Sequence, residues 1–247
     1  MNKNRLSILF VTLLISTLSM AQGKRVVFIG DSITDGAWGN GKVWNAPSQD
    51  RDQNDMNHIY GHSYMLMAAS QIEATHPDQG WRFWNRGISG DKLTDLEKRW
   101  QKDLLDLKPD IVSILIGTND VEMALNRGVE IDTDDWGNRF RKLLDKVLAD
   151  NPEAEFMLCT PFTAKSGKRG ESDNYATREK MISVLSNEIR KICNDYHAKL
   201  VPFDTLVAET ISSNPEVGIT YWIWDGIHPT PAMHYKMAQM WLDVLNK

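Results

Sequence analysis

Ile111-Val112-Ser113-Ile114-Leu115-Ile116 is apolar at every position but one and stops at Gly117-Thr118-Asn119-Asp120. A strand with one wet face alternates polar and apolar side chains. A run like this must be covered on both faces, as the central strand of a parallel sheet is. Further strand-like runs occur at 25–29, 81–85, 155–160 and 199–203, and amphipathic stretches lie between them. Leu96, Trp100, Leu104 and Leu107 form one helical stripe, and Trp136, Phe140, Leu143, Leu144 and Val147 a second. Met181, Leu185, Ile189, Ile192 and Tyr196 form a third. Thr94-Asp95-Leu96-Glu97 reads as a capping box with Thr94 at the N-cap, and a closing helix is expected near Pro231. Strand and helix patterns that alternate in this way predict an α/β fold on a parallel sheet.

The chain has 247 residues, 42% hydrophobic and 25% charged, enough for one domain with a sizeable core. Residues 1–21 have the form of a signal peptide: Lys3 and Arg5, an apolar run from Leu6 to Leu18, then Ser19-Met20-Ala21. That run falls short of the roughly 20 residues that span a bilayer. Gln22 stands where a lipid-anchored protein needs Cys. An exported domain over 22–247 is the expectation, without stable membrane insertion. Loss of the leader makes the formal charge of −5 more negative by two, so no basic footprint for nucleic acid remains. Cys159 and Cys193 fall on apolar positions and read as two buried thiols rather than a disulfide.

In a parallel sheet, ligands bind at the carboxyl ends of the strands. The polar clusters fall there: Gly30-Asp31-Ser32-Ile33-Thr34, Asn85-Arg86-Gly87, Gly117-Thr118-Asn119-Asp120 and, in the last loop, Asp225-Gly226-Ile227-His228. An alcohol is protonated near neutral pH, so Ser32 needs a base to become a nucleophile. A histidine held by a carboxylate meets that need, and Asp225 and His228 lie three residues apart. Oxyanion donors are expected from the Ser32 N–H, the Gly87 N–H and the Asn119 amide. Asp31 reads as a turn residue, and Asp120 as a brace for its loop or a helix cap.

These blocks resemble those of the SGNH, or GDSL-like, hydrolase family, across nearly the whole mature chain. The resemblance implies a flavodoxin-like three-layer α/β/α sandwich with a five-stranded parallel sheet and no metal or organic cofactor. It implies Ser32 as nucleophile, His228 as base and Asp225 as its orienter, with Ser32, Gly87 and Asn119 around the oxyanion.

Nine tryptophans are many for this length. Trp38 and Trp44 lie in the long polar segment after Ser32, and Trp222 and Trp224 just before Asp225. Indole faces suit sugar rings, so these four are candidate substrate contacts. The expected function is hydrolysis of O-acyl esters, O-acetyl above all, on a carbohydrate. The alternatives are a lysophospholipase- or thioesterase-like acylhydrolase and a catalytically silent carbohydrate-binding protein. His58 and His62 are expected to be solvated or at the substrate's edge, and His76, His197 and His234 at helix ends or on the surface. Residues 165–169 read as a flexible basic loop.

Overall fold

The computed structural model describes residues 23–36 and 60–247. The expected leader, Trp38, Trp44 and His58 lie outside them. Strand β1 (Arg25–Gly30) runs into the one-turn helix α1 (Ser32–Asp35), and the next described helix is α2 (Tyr64–Thr75). Strand β2 (Arg82–Gly87) leads to α3 (Leu93–Asp103), and β3 (Ile111–Leu115) to α4 (Thr118–Arg127) and α5 (Thr133–Asp150). Strand β4 (Glu155–Cys159) precedes α6 (Gly167–Gly170) and α7 (Tyr175–Tyr196). Strand β5 (Lys199–Val201) precedes α8 (Phe203–Ser212) and the closing helix α9 (Pro231–Leu245).

All five strands are parallel, in the order β2-β1-β3-β4-β5. The chain first steps outward from β1 to β2, then crosses back to β3 on the other side. The two connections diverge there and leave a crevice at the carboxyl ends of β1 and β3, where Ser32 and Asn119 emerge.

Side-chain alternation along the strands divides the core into two layers. Val26, Phe28, Ile111, Leu115 and Met157 face α2, α8 and α9, whose Tyr64, Met65, Phe203, Met237 and Trp241 cover them. Val27, Ile29, Val112, Ile114 and Leu158 face the other way, against Leu96 and Trp100 of α3, Phe140 and Leu144 of α5, and Leu185 and Ile189 of α7. The three helical stripes therefore pack as the sequence predicts, and the architecture is the expected α/β/α sandwich. Ser113, the single polar residue of β3, is buried; its Oγ accepts from Trp241 Nε1 at 3.0 Å.

The capping expectation for α3 needs correction. The helix begins at Leu93, so Thr94 lies inside its first turn. The first N–H groups of a helix lack helical acceptors, and here two carboxylates serve them. Asp95 accepts from Lys92 N at 3.2 Å, and Asp120, from a different connection, accepts from Leu93 N at 3.3 Å. Strand β5 ends before Pro202, which has no N–H to continue the ladder, and Phe203 already belongs to α8. Both cysteines are buried and unpaired. Among the described residues, no helix is long and apolar enough to cross a membrane.

Candidate active site

Ser32 opens α1 directly after β1. Asp31 caps the turn, accepting from Ile33 N at 2.9 Å, and Gly36, in the left-handed region at φ 71°, closes it by donating to Ser32 O. This holds Ser32 Oγ 2.9 Å from His228 Nε2, and His228 Nδ1 lies 2.8 Å from Asp225 Oδ2. The other Asp225 oxygen accepts from His228 N at 2.9 Å and Ile227 N at 3.2 Å. Burial pushes the Asp225 carboxyl up, but its bonds to the His228 side chain and backbone outweigh that and hold it well below the usual carboxylate range. An ionised carboxylate only accepts, so Nδ1 carries the imidazole proton and Nε2 is left to accept from Ser32.

The loop that bears Asp225 and His228 is clasped across its base. Ile223 and Pro229 form an antiparallel bridge, with Trp224 N donating to His228 O at 3.1 Å and Thr230 N to Trp222 O at 2.9 Å. From outside, Ala164 N and Thr163 Oγ1 both donate to Gly226 O at 2.9 Å.

A cavity of about 570 Å³ opens beside Ser32 and His228, and Ser89, Gly90, Asn119, Arg169, Trp224 and His234 border it. One Asn119 amide hydrogen is donated to Asp91 O at 3.1 Å, which leaves the other for a ligand. Gly87 does not take the expected place. Its N–H is donated to Asn85 Oδ1 at 3.0 Å, and its Cα lies so close to the Asp35 backbone that a Cβ would collide. The glycine at the wall is Gly90, at φ 87° with open space around it. The N–H groups of Ser32 and Gly90 have no acceptor among the described residues. Arg99 secures the turn that carries Gly90, donating to Asp91 Oδ2 and Arg86 O at 2.7 Å and to Gly30 O at 3.2 Å. Asp120 braces the same region through Leu93 N and Trp136 Nε1, and burial raises its pKa to about 6.

Of the tryptophans expected at the substrate, Trp224 is 58% exposed and stacked on His228, with ring centroids 6.2 Å apart and planes 22° apart. Trp222 is not at the cavity: it is 8% exposed and packed against Tyr221 and under Lys236 Nζ. An indole gains more from burial than from lying on a wet surface, and the bridged loop turns Trp222 inward. His62 is exposed and borders the cavity.

Two wall residues, Arg169 and His234, differ in part from expectation. Residues 165–169 include the start of a helical turn, α6, and Arg169 is an ion-pair centre rather than part of a flexible loop. It donates to Asp225 Oδ2 at 2.6 Å and Glu122 Oε2 at 3.1 Å, and Arg178 holds the same Glu122 at 2.6 Å. No local pattern announces this, because its partner is far along the chain. His234 lies at a helix end, as expected, in the first turn of α9, but it is buried rather than on the surface. Here the sequence did carry a signal, since His234 shares the i, i+3, i+4, i+7 face of Met237, Ala238 and Trp241.

Fold and cavity are those of a carboxylic ester hydrolase. The chain belongs to the GDSL-like lipase/acylhydrolase family, whose sequence model matches residues 28–236. An acetylxylan esterase from Geobacillus stearothermophilus is 26% identical over 231 residues, 91% of this chain and 95% of its own. A crystal structure of acetylxylan esterase from that organism is 25% identical with a TM-score of 0.71, covering 93% of this chain and 97% of that one. A candidate GDSL-like lipase from Parabacteroides merdae is 28% identical with a TM-score of 0.76, covering 93% and 98%.

Proposed function

We propose that the protein removes O-acetyl groups from a carbohydrate through an acyl-enzyme on Ser32. The observation that carries this reading is the line of contacts from Ser32 Oγ to His228 Nε2 and from His228 Nδ1 to Asp225. As Ser32 Oγ bonds to the acetyl carbon, His228 Nε2 takes its proton, and the Asp225 carboxylate stabilises the resulting imidazolium. The carbonyl oxygen becomes an oxyanion, received by the N–H groups of Ser32 and Gly90 and the spare amide hydrogen of Asn119. On collapse, the bond to the sugar oxygen breaks and His228 gives that oxygen its proton. A water then loses a proton to His228 as it attacks the acyl carbon; on collapse the bond to Ser32 Oγ breaks, His228 returns the proton to that oxygen, and acetate leaves.

The sugar part of the reading is supported by Trp224, whose exposed ring beside His228 offers an apolar face to a pyranose, and by the likeness to acetylxylan esterases. We further propose that residues 1–21 are a leader and 22–247 the exported domain. The test is release of acetate from acetylated polysaccharides, alongside aryl esters of increasing chain length. Acetyl preferred over octanoyl, with acetate freed from a polysaccharide, is the expected result. A reversed chain-length preference would point to a lysophospholipase-like enzyme instead.

A further inference from the structure

His234 borders the cavity but takes no part in the proton transfers above. It sits in the first turn of α9 and is 8% exposed. Tyr64 N–H, a first-turn donor of α2 with no helical acceptor, donates to His234 Nδ1 at 3.1 Å. A ring nitrogen that accepts carries no proton, so the neutral imidazole bears its hydrogen on Nε2. That N–H has no acceptor among the described residues, and it is open to the cavity. Burial, with the nearby charge of His228 adding to it, pushes the His234 pKa down to about 4, so the ring stays neutral near pH 7. Flipping the ring would strand Tyr64 N–H inside the protein. His234 therefore presents a donor to the cavity and never an acceptor.

We propose that His234 is a specificity-determining residue that donates from Nε2 to an oxygen of the sugar adjoining the ester. The proposal rests on the carbohydrate-ester reading above. Two features set the donor on the alcohol side of the substrate. The alcohol leaves towards His228, which protonates it, and His234 lines the same cavity as His228. The acetyl methyl, by contrast, offers nothing for an N–H to bind, and an unmatched buried donor is costly. A sugar presents hydroxyl and ring oxygens there; a simple aryl alcohol presents none.

The test compares kcat/KM for an acetylated xylo-oligosaccharide and for 4-nitrophenyl acetate in wild type, His234→Asn and His234→Gln. Asparagine can set its amide oxygen where Nδ1 stood and keep the Tyr64 bond, but it does not reach the Nε2 position. Glutamine can put an NH₂ there. The ratio of the two kcat/KM values does not depend on how much of a variant is folded. That ratio is expected to fall about tenfold in His234→Asn and to return within about threefold of wild type in His234→Gln, the scale of one hydrogen bond. An unchanged ratio in His234→Asn, or an equal fall in both variants, overturns the proposal. A wild type that cleaves the aryl acetate but frees no acetate from the oligosaccharide overturns the carbohydrate reading, and this proposal with it.

Discussion

Arg169 Nη1 donates to Asp225 Oδ2 at 2.6 Å, the same oxygen that accepts from His228 Nδ1. That contact, with the Arg169 bond to Glu122, fixes the carboxylate oxygen opposite the imidazole. Arg169→Met should therefore lower kcat several-fold, and Arg169→Lys should recover part of the loss. Arg169 is a third exposed, so solvent damps the effect to less than about tenfold. An unchanged kcat in Arg169→Met would reduce Arg169 to a packing role.

Ser32→Ala should abolish hydrolysis of an aryl acetate and leave the melting temperature nearly unchanged, since the hydroxyl bonds only to His228 among the described residues. Asp225→Asn should cost roughly 10³–10⁴-fold in kcat, because an amide no longer fixes the His228 tautomer. Steady-state rates and thermal melts on the same preparations check both.

Two glycines separate catalysis from packing. Gly90→Ala should lower kcat, since φ 87° disfavours any side chain and the N–H must shift. Asn119→Ala should lower kcat by roughly 10²–10³-fold with little change in KM. Gly87→Ala should instead destabilise the fold, because a Cβ there meets the Asp35 backbone. A selective loss of kcat in a stably folded Gly87→Ala enzyme would return that residue to the oxyanion.

Asp31 makes stability depend on pH. Burial raises its pKa from 3.8 to about 7, and its Oδ2 has no hydrogen-bond partner among the described residues. With the folded pKa above the unfolded one, its contribution is fully present below pH 3.8 and is lost as pH rises through about 7. Asparagine keeps the cap to Ile33 N without a charge. Asp31→Asn should therefore melt several degrees above wild type at pH 8, the scale of a few kcal/mol, and match it near pH 4. Parallel melting curves at the two pH values would contradict this.

The strands, the crevice and the Ser32, Asp225 and His228 contacts were legible because each rests on local pattern: apolar runs, then polar clusters at their ends. What the sequence hid was decided by turns and distant partners. Asn85-Arg86-Gly87-Ile88-Ser89-Gly90 offers two glycines, and only the turn closed by Asp91 N donating to Ile88 O at 3.1 Å brings the second to the wall. Arg169 became readable once α6 packed on the Asp225 loop, where Gly167 comes so near that a Cβ would lie 2.6 Å from Trp224 O. Trp222 and Trp224 look alike in sequence, and the bridge between Ile223 and Pro229 sends one inward and one out.

That bridge also sets the order in which the enzyme would fail. Base and carboxylate ride on one small closed loop and drift together, whereas the nucleophile belongs to a separate turn after β1. Gentle heating or mild denaturant should therefore widen the gap between oxygen and imidazole while the tautomer stays correct. Turnover would then fade before the sheet and its helices begin to come apart.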